Sequence, residues 1–221
     1  MKLLMHALTK FLIGLLMIGL LLFVPAGTLF YPHGWLFIGL LFAPMAVLGA
    51  VLLVRAPALL EKRLDAKETQ RTQKAVVALS GLLFFIGFVV AGLDFRFGLT
   101  HVPTPCVIAA SVILVICYGL YAEVMRENAY LSRTVGVQKD QRVVDTGLYG
   151  IVRHPMYAAT IGLFLSIPVV LGSWLALACF VPYVAVIAVR IGNEEKVLEA
   201  ELDGYSEYKT RVRYRLIPFV W

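Results

Sequence analysis

Between Phe11 and Val54 the chain runs for 44 residues without a single Asp, Glu, Lys or Arg. A helix needs about 20 apolar residues to cross a hydrocarbon core ~30 Å thick, so this run alone is long enough for two crossings. Tyr31-Pro32-His33-Gly34 supplies a turn between them. Three further charge-free runs follow: Ala75–Leu93 with 19 residues, Phe97–Ala122 with 26 and Pro155–Val189 with 35. The second and third fit one crossing each. The fourth fits two shorter helices folded at Leu171-Gly172-Ser173, which brings the expected number of crossings to about six. The runs are continuously apolar and lack the period-two alternation of barrel strands. The expected fold is therefore an all-α integral membrane protein whose last two crossings form a tight helical hairpin.

Composition agrees. The chain is 60% hydrophobic and 15% charged, against 45–50% and about 25% in ordinary soluble domains. This excludes a disordered chain, a coiled coil and a disulfide-stapled miniprotein, and argues strongly against a water-soluble enzyme. Of the 20 Lys and Arg residues, every one except Arg96 falls in the N-terminus or in the segments 55–74, 126–153 and 190–215. Basic residues concentrate on the cytoplasmic side, so both termini and both large loops are expected there. The net charge of +6 then reads as topology and attraction to anionic lipid, with no nucleic acid as partner. Lys2 and Lys10 ahead of an apolar stretch have the outline of a signal peptide. The run continues past Pro25 with no A-x-A site, so the segment is expected to stay as the first helix.

Cys106, Cys117 and Cys179 lie in apolar runs. The first two are roughly 16 Å apart along one helix, too far for one disulfide or one metal ion, and no zinc-type spacing occurs, so no metal is expected. Residues 1–125 read as four crossings with a basic loop (Arg55, Lys62, Arg63, Lys67, Arg71, Lys74, mixed with Glu61, Asp65 and Glu68) that forms a solvated helix on the inner face. Residues 126–221 carry the side chains with chemical potential, so the catalytic region is placed there.

The connection from Arg126 to Arg153 is long for a helical bundle. It ends in Arg153-His154-Pro155-Met156-Tyr157, where Pro155 fits the first turn of a helix and His154 falls near its N-cap. A helix start favours an anionic group, and Tyr149 and Tyr157 offer flat faces to a ring or a sulfonium cation. The bland alternative is a membrane-interface stop with snorkelling side chains and a tyrosine belt. Arg190 and Glu194 are four residues apart and share a helix face, either as an ion pair worth a few tenths of a kcal/mol or as part of a site. A hairpin folded at Gly172 brings them back to the Arg153–Tyr157 segment, and charge at that depth is costly enough to suggest function. The tail from Tyr205 alternates tyrosines with basic residues and reads, taken alone, as an interfacial anchor.

Taken together, Thr146-Gly147-Leu148-Tyr149, Arg153-His154-Pro155-Met156-Tyr157, Glu194-Glu195, Glu207-Tyr208-Lys209-Thr210-Arg211-Val212 and the Leu216–Trp221 ending resemble the isoprenylcysteine carboxyl methyltransferase family in order and interval. The resemblance covers about residues 126–221. It implies a membrane enzyme that uses S-adenosylmethionine and acts on a lipid-like or prenylated small substrate. Cofactor contacts carried over by position are Gln138, Gln141, Arg142, Val143, Val144, Tyr149, His154, Pro155, Met156, Tyr157 and Glu194. Arg190 corresponds to the family's substrate-side arginine, and His154 and Arg190 are the candidate catalytic pair. A carboxylate acceptor is already ionised at neutral pH and needs no base, and an arginine beside it suits an anion. An amine acceptor would need a base, for which His154 is the obvious candidate. The alternatives are a phospholipid-amine or other small hydrophobic acceptor, a membrane reductase using NADPH, and a transporter or structural membrane protein. The 126–153 loop or the tail is expected to close over the cofactor and exclude water.

Overall fold

The computed structural model describes residues 2–64, 71–131 and 136–221. Among them all regular structure is helical: α1 (Lys2–Ala26), α2 (Pro32–Arg55), α3 (Pro57–Leu64), α4 (Arg71–Phe97), α5 (Thr104–Glu127), α6 (Pro155–Val170), α7 (Trp174–Phe180), α8 (Tyr183–Glu201) and α9 (Tyr205–Arg211), with one 3-10 turn at Gly147–Gly150. Five stretches are long and apolar enough to cross a membrane: Lys2–Ala26, Pro32–Arg55, Gln73–Phe97, Thr104–Glu127 and Trp174–Glu201, the last being α7 and α8 together. The 16 residues of α6 span about 24 Å at 1.5 Å per residue, short of a full bilayer core. The chain is thus an all-helical membrane protein of five long spans and one shorter helix that folds against the last.

The first turn comes earlier in the chain than the sequence suggested. α1 ends at Ala26, Gly27 takes a left-handed φ of +69°, and Pro32 opens α2 in place of turning the chain. Proline suits a helix start because its missing N–H is one that no helix would use. The displaced Tyr31 is fully buried and its hydroxyl donates to the Leu171 carbonyl at 2.6 Å. The basic loop contributes α3, with Leu59 and Leu60 buried; Asp65, Lys67 and Glu68 of that reading lie outside the described residues.

Close helix contacts are made where side chains are missing. A Cβ on Gly92 would come within 2.6 Å of the Leu22 carbonyl, and one on Gly87 within 2.2 Å of the Phe180 ring. α4 therefore lies flush against α1 and receives Phe180 of α7 beside it. The central core of Leu22, Phe37, Phe88, Leu114 and Phe180 fills the space between them. At one end of the bundle Asp94, 1% exposed, accepts from Thr100 N at 2.7 Å and from Ser173 Oγ at 2.5 Å, as well as from the Thr100 hydroxyl. Ser173 also accepts from Ala176 N at 3.0 Å and so caps α7. The turn between α6 and α7 is clamped at this end, and the start of α6 and the last turns of α8 meet at the other.

Candidate functional site

The far ends of that hairpin converge on two adjacent glutamates with different partners. Successive residues on a helix point about 100° apart, so Glu194 and Glu195 face different surroundings. Glu195 is 2% exposed. Its Oε1 accepts from Arg153 Nε at 2.8 Å and lies 3.2 Å from His154 Nε2, while Oε2 accepts from Arg215 Nη2 at 2.8 Å. Arg153 donates further to the carbonyls of Val212 and Arg213 at 2.7 and 2.8 Å. The amides of Arg153 and His154 donate to the carbonyls of Tyr214 and Arg215, both at 2.9 Å. One buried carboxylate thus ties the entry of α6, the end of α8 and the tail into a single block. A buried charge needs this degree of satisfaction to be tolerated.

Glu194 faces the other way. Its Oε2 accepts from the Tyr157 hydroxyl, which in turn accepts from Arg190 Nε at 2.8 Å. The Arg190 guanidinium also lies 5.8 Å from the centre of the Tyr157 ring. Arg190 and Glu194 therefore meet on one phenol, one helical turn apart. His154 is the N-cap residue of α6 and Pro155 its first residue, as the local sequence suggests. The imidazole, however, engages Glu195, and the preceding amides are taken up by the tail. The two amides that precede α6 are therefore not free to hold an anion.

A small open cleft lies beside this block. Of the residues singled out from sequence, Gln141, Arg142, Val143, Val144, Tyr149, His154, Met156, Tyr157 and Glu194 line it. Gln138, Pro155 and Arg190 stand outside the lining. Gln138 spends its amide on Lys62 Nζ, which donates at 2.6 Å, and on the Tyr130 carbonyl. It pins the loop to α3. Pro155 is buried as a helix opener, and Arg190 reaches the cleft through Tyr157.

The sequence reading gave no role in this wall to Asn128, Tyr205 and Tyr208, which also line it. Asn128 Nδ2 donates to the Tyr149 hydroxyl at 3.0 Å, and the Tyr208 hydroxyl donates to the Tyr149 carbonyl at 2.7 Å. Tyr208 and Tyr205 come from α9, which the left-handed Gly204, φ +81°, turns back over the cleft. The tyrosine–basic alternation of the tail was the available signal. It reads as a lipid anchor because alternation says nothing of which face folds inward. Burial pushes the phenols of Tyr149, Tyr205 and Tyr208 well above the ordinary tyrosine range, so they are protonated donors across the physiological range. Gly147 carries a φ of +53°, and a Cβ there would collide with Glu127 Oε1 at 1.5 Å. The Glu127 carboxylate accepts from Leu148 N at 3.0 Å and so fixes the turn that presents Tyr149.

A helical membrane protein with a partly polar cleft at one end of a short hairpin is the class this geometry defines. Residues 105–202, from α5 to just past the end of α8, match the model of the family described as phospholipid methyltransferase. The match supports membrane methyltransferase activity and does not distinguish a phospholipid acceptor from an isoprenylcysteine one. No curated protein matches the chain. Tyr205, Tyr208 and Arg215 lie beyond the matched stretch.

Proposed function

We propose that this chain transfers a methyl group from S-adenosylmethionine to a polar group carried by a lipid-like acceptor, with the reaction at the membrane surface. The observation that carries the reading is the cleft itself: Tyr149, Tyr157 and Glu194 share one wall of it, beside helices that face lipid. One ligand can enter from water and the other laterally from the bilayer. Bound there, S-adenosylmethionine would supply a methyl group on an already cationic sulfur. The protein's part is then to align donor and acceptor, worth up to about 7–11 kcal/mol for well-held reactants.

In this reading Glu194 is the counter-charge to the cofactor's cationic end, and Tyr149 and Tyr157 pack against its flat and sulfonium parts. The Glu195 block holds His154 and Arg153 in place and keeps the tail down, which excludes water from the transfer. Arg190, held on the Tyr157 hydroxyl, orients the acceptor. A carboxylate acceptor suits that arginine and needs no base. The second reading, an amine-bearing phospholipid, is equally compatible with the family match; there His154, beside Glu195, would take the proton.

The test is transfer of labelled methyl from S-adenosylmethionine into membrane extracts by the purified protein. Label recovered in a lipid fraction supports the reading, base-labile label marking a carboxyl ester and base-stable label an amine. Saturable binding of NADPH with no methyl transfer to any lipid would reject it. Arg190→Ala is expected to leave cofactor affinity within about twofold and cut turnover at least about tenfold.

A further inference from the structure

The polar groups of the cleft wall are nearly all committed to one another. His154 and Arg153 are held by Glu195, the Tyr149 hydroxyl by Asn128, the Tyr208 hydroxyl by the Tyr149 carbonyl, and Tyr157 by Glu194 and Arg190. Tyr205 is the exception among the buried ones. It is 4% exposed, lines the cleft, and its buried hydroxyl has no hydrogen-bond partner among the described residues. Buried hydroxyls in native proteins are nearly always paired, and one that is not calls for an explanation. Burial keeps this phenol protonated, so it has a proton to donate.

Its neighbourhood narrows what it would donate to. Val143 packs against the Tyr205 cluster, and its chain neighbour Arg142 is also a lining residue of the cleft. Arg142 is exposed and forms no ion pair among the described residues. The charges of Glu195, Arg153 and Glu194 all act on Tyr205. Glu195 and Arg153 are already paired with each other, so the charge facing the ligand from that side is Glu194. A wall with a carboxylate, a neutral donor and a guanidinium is complementary to a zwitterion: an ammonium for the first, a carboxylate for the other two. An α-amino acid end carries both groups on a single carbon.

We propose that Tyr205, with Arg142, binds the carboxylate of the methyl donor's amino-acid end, and that Glu194 takes the ammonium beside it. This rests on the S-adenosylmethionine reading and gives α9, outside the matched family segment, a direct place in ligand recognition. It places the anion seat on the α9 wall, since the two amides that precede α6 are taken up by the tail.

The experiment is calorimetric titration of the full chain in detergent with S-adenosylhomocysteine and with its decarboxylated analogue. Wild type should prefer the carboxylate-bearing ligand about tenfold, and Tyr205→Phe should weaken that ligand about five- to twentyfold while changing the decarboxylated one less than about twofold. Because the lost hydroxyl had no partner, the melting temperature of Tyr205→Phe without ligand should be equal to or above that of wild type. Arg142→Gln, at an exposed position, should shrink the preference in the same direction. Equal losses for both ligands, or none for either, in both variants would overturn the assignment. Failure of wild type to bind either ligand would instead overturn the cofactor reading beneath it.

Discussion

Glu195 and Glu194 are neighbours in the chain with opposite tasks, and only the fold tells them apart. The sequence singled out Glu194, His154, Tyr149 and Tyr157, and all four line the cleft. The division of labour between the glutamates was not legible there, because it depends on which side of α8 faces the tail. Arg153 makes the point from the other direction: it reads as a snorkelling interface residue, yet its side chain is 5% exposed and paired with Glu195. Replacing Glu195 by Ala leaves that guanidinium buried without its carboxylate, a change that typically costs about 3–5 kcal/mol. A clear drop in melting temperature is expected, together with faster tryptic cleavage after Arg211 and Arg213 as the tail comes loose. At Gly147, alanine must both adopt a φ of +53° and displace the Glu127 carboxylate. Gly147→Ala is expected to weaken S-adenosylhomocysteine binding at least about tenfold through misplacement of Tyr149, with a stability loss of roughly 1–3 kcal/mol. Titration and thermal unfolding of the variant check the two parts separately.

At the level of elements, charge-free runs revealed which stretches are helical in lipid but not where they break. The turn at Gly27–Tyr31 and the interruption between α7 and α8 at Val181-Pro182 both fall inside runs with no charged residue. Proline is an uncertain guide there: Pro25, Pro44 and Pro168 sit inside helices, whereas Pro32 and Pro155 open them. Membrane helices tolerate proline when neighbours satisfy the freed carbonyl. What holds α6 in place is its contact with α5, where Gly162 faces Cys117 so closely that a Cβ would lie 2.5 Å from the sulfur. Small residues at such contacts let helices approach in lipid, where packing replaces the hydrophobic effect. Gly162→Leu should therefore push α6 away from α5 and lower thermal stability by about 2 kcal/mol or more. Since α6 carries His154 and Tyr157, ligand affinity should fall as well. Gly119→Leu, on α5 with nothing within 4 Å of its Cβ position, should leave both unchanged.

On the scale of the whole molecule, the cleft and the Glu194–Glu195 groups lie at one end, and the buried Asp94–Thr100–Ser173 cluster at the other. Lys10 reaches the Leu64 carbonyl, Lys62 reaches Gln138, and the cleft lies between that loop and α9. The start of α1, α3, the loop and the tail are thus gathered on one face, while Gly27, Arg96 and the Leu171–Ser173 turn lie on the other. We infer from the distribution of basic residues that the cleft end is cytoplasmic. Single cysteines introduced at Thr9 and Ser206, in a chain whose three native cysteines are replaced, should react with an impermeant maleimide only after the membrane is opened. One at Thr28 should react in intact cells. The reverse pattern would invert the orientation, and labelling of Thr9 and Ser206 from different sides would break the topology itself.

The proposed activity requires a methyl donor in the cleft at the end of the α6–α8 hairpin. An experimental map of the full chain with saturating S-adenosylhomocysteine tests that directly. Density for the nucleoside is expected between Tyr149, Tyr157 and Glu194, with the amino-acid end turned towards Tyr205. Density lodged among α1, α2 and α4, or an empty cleft at saturating ligand, would contradict the proposed activity.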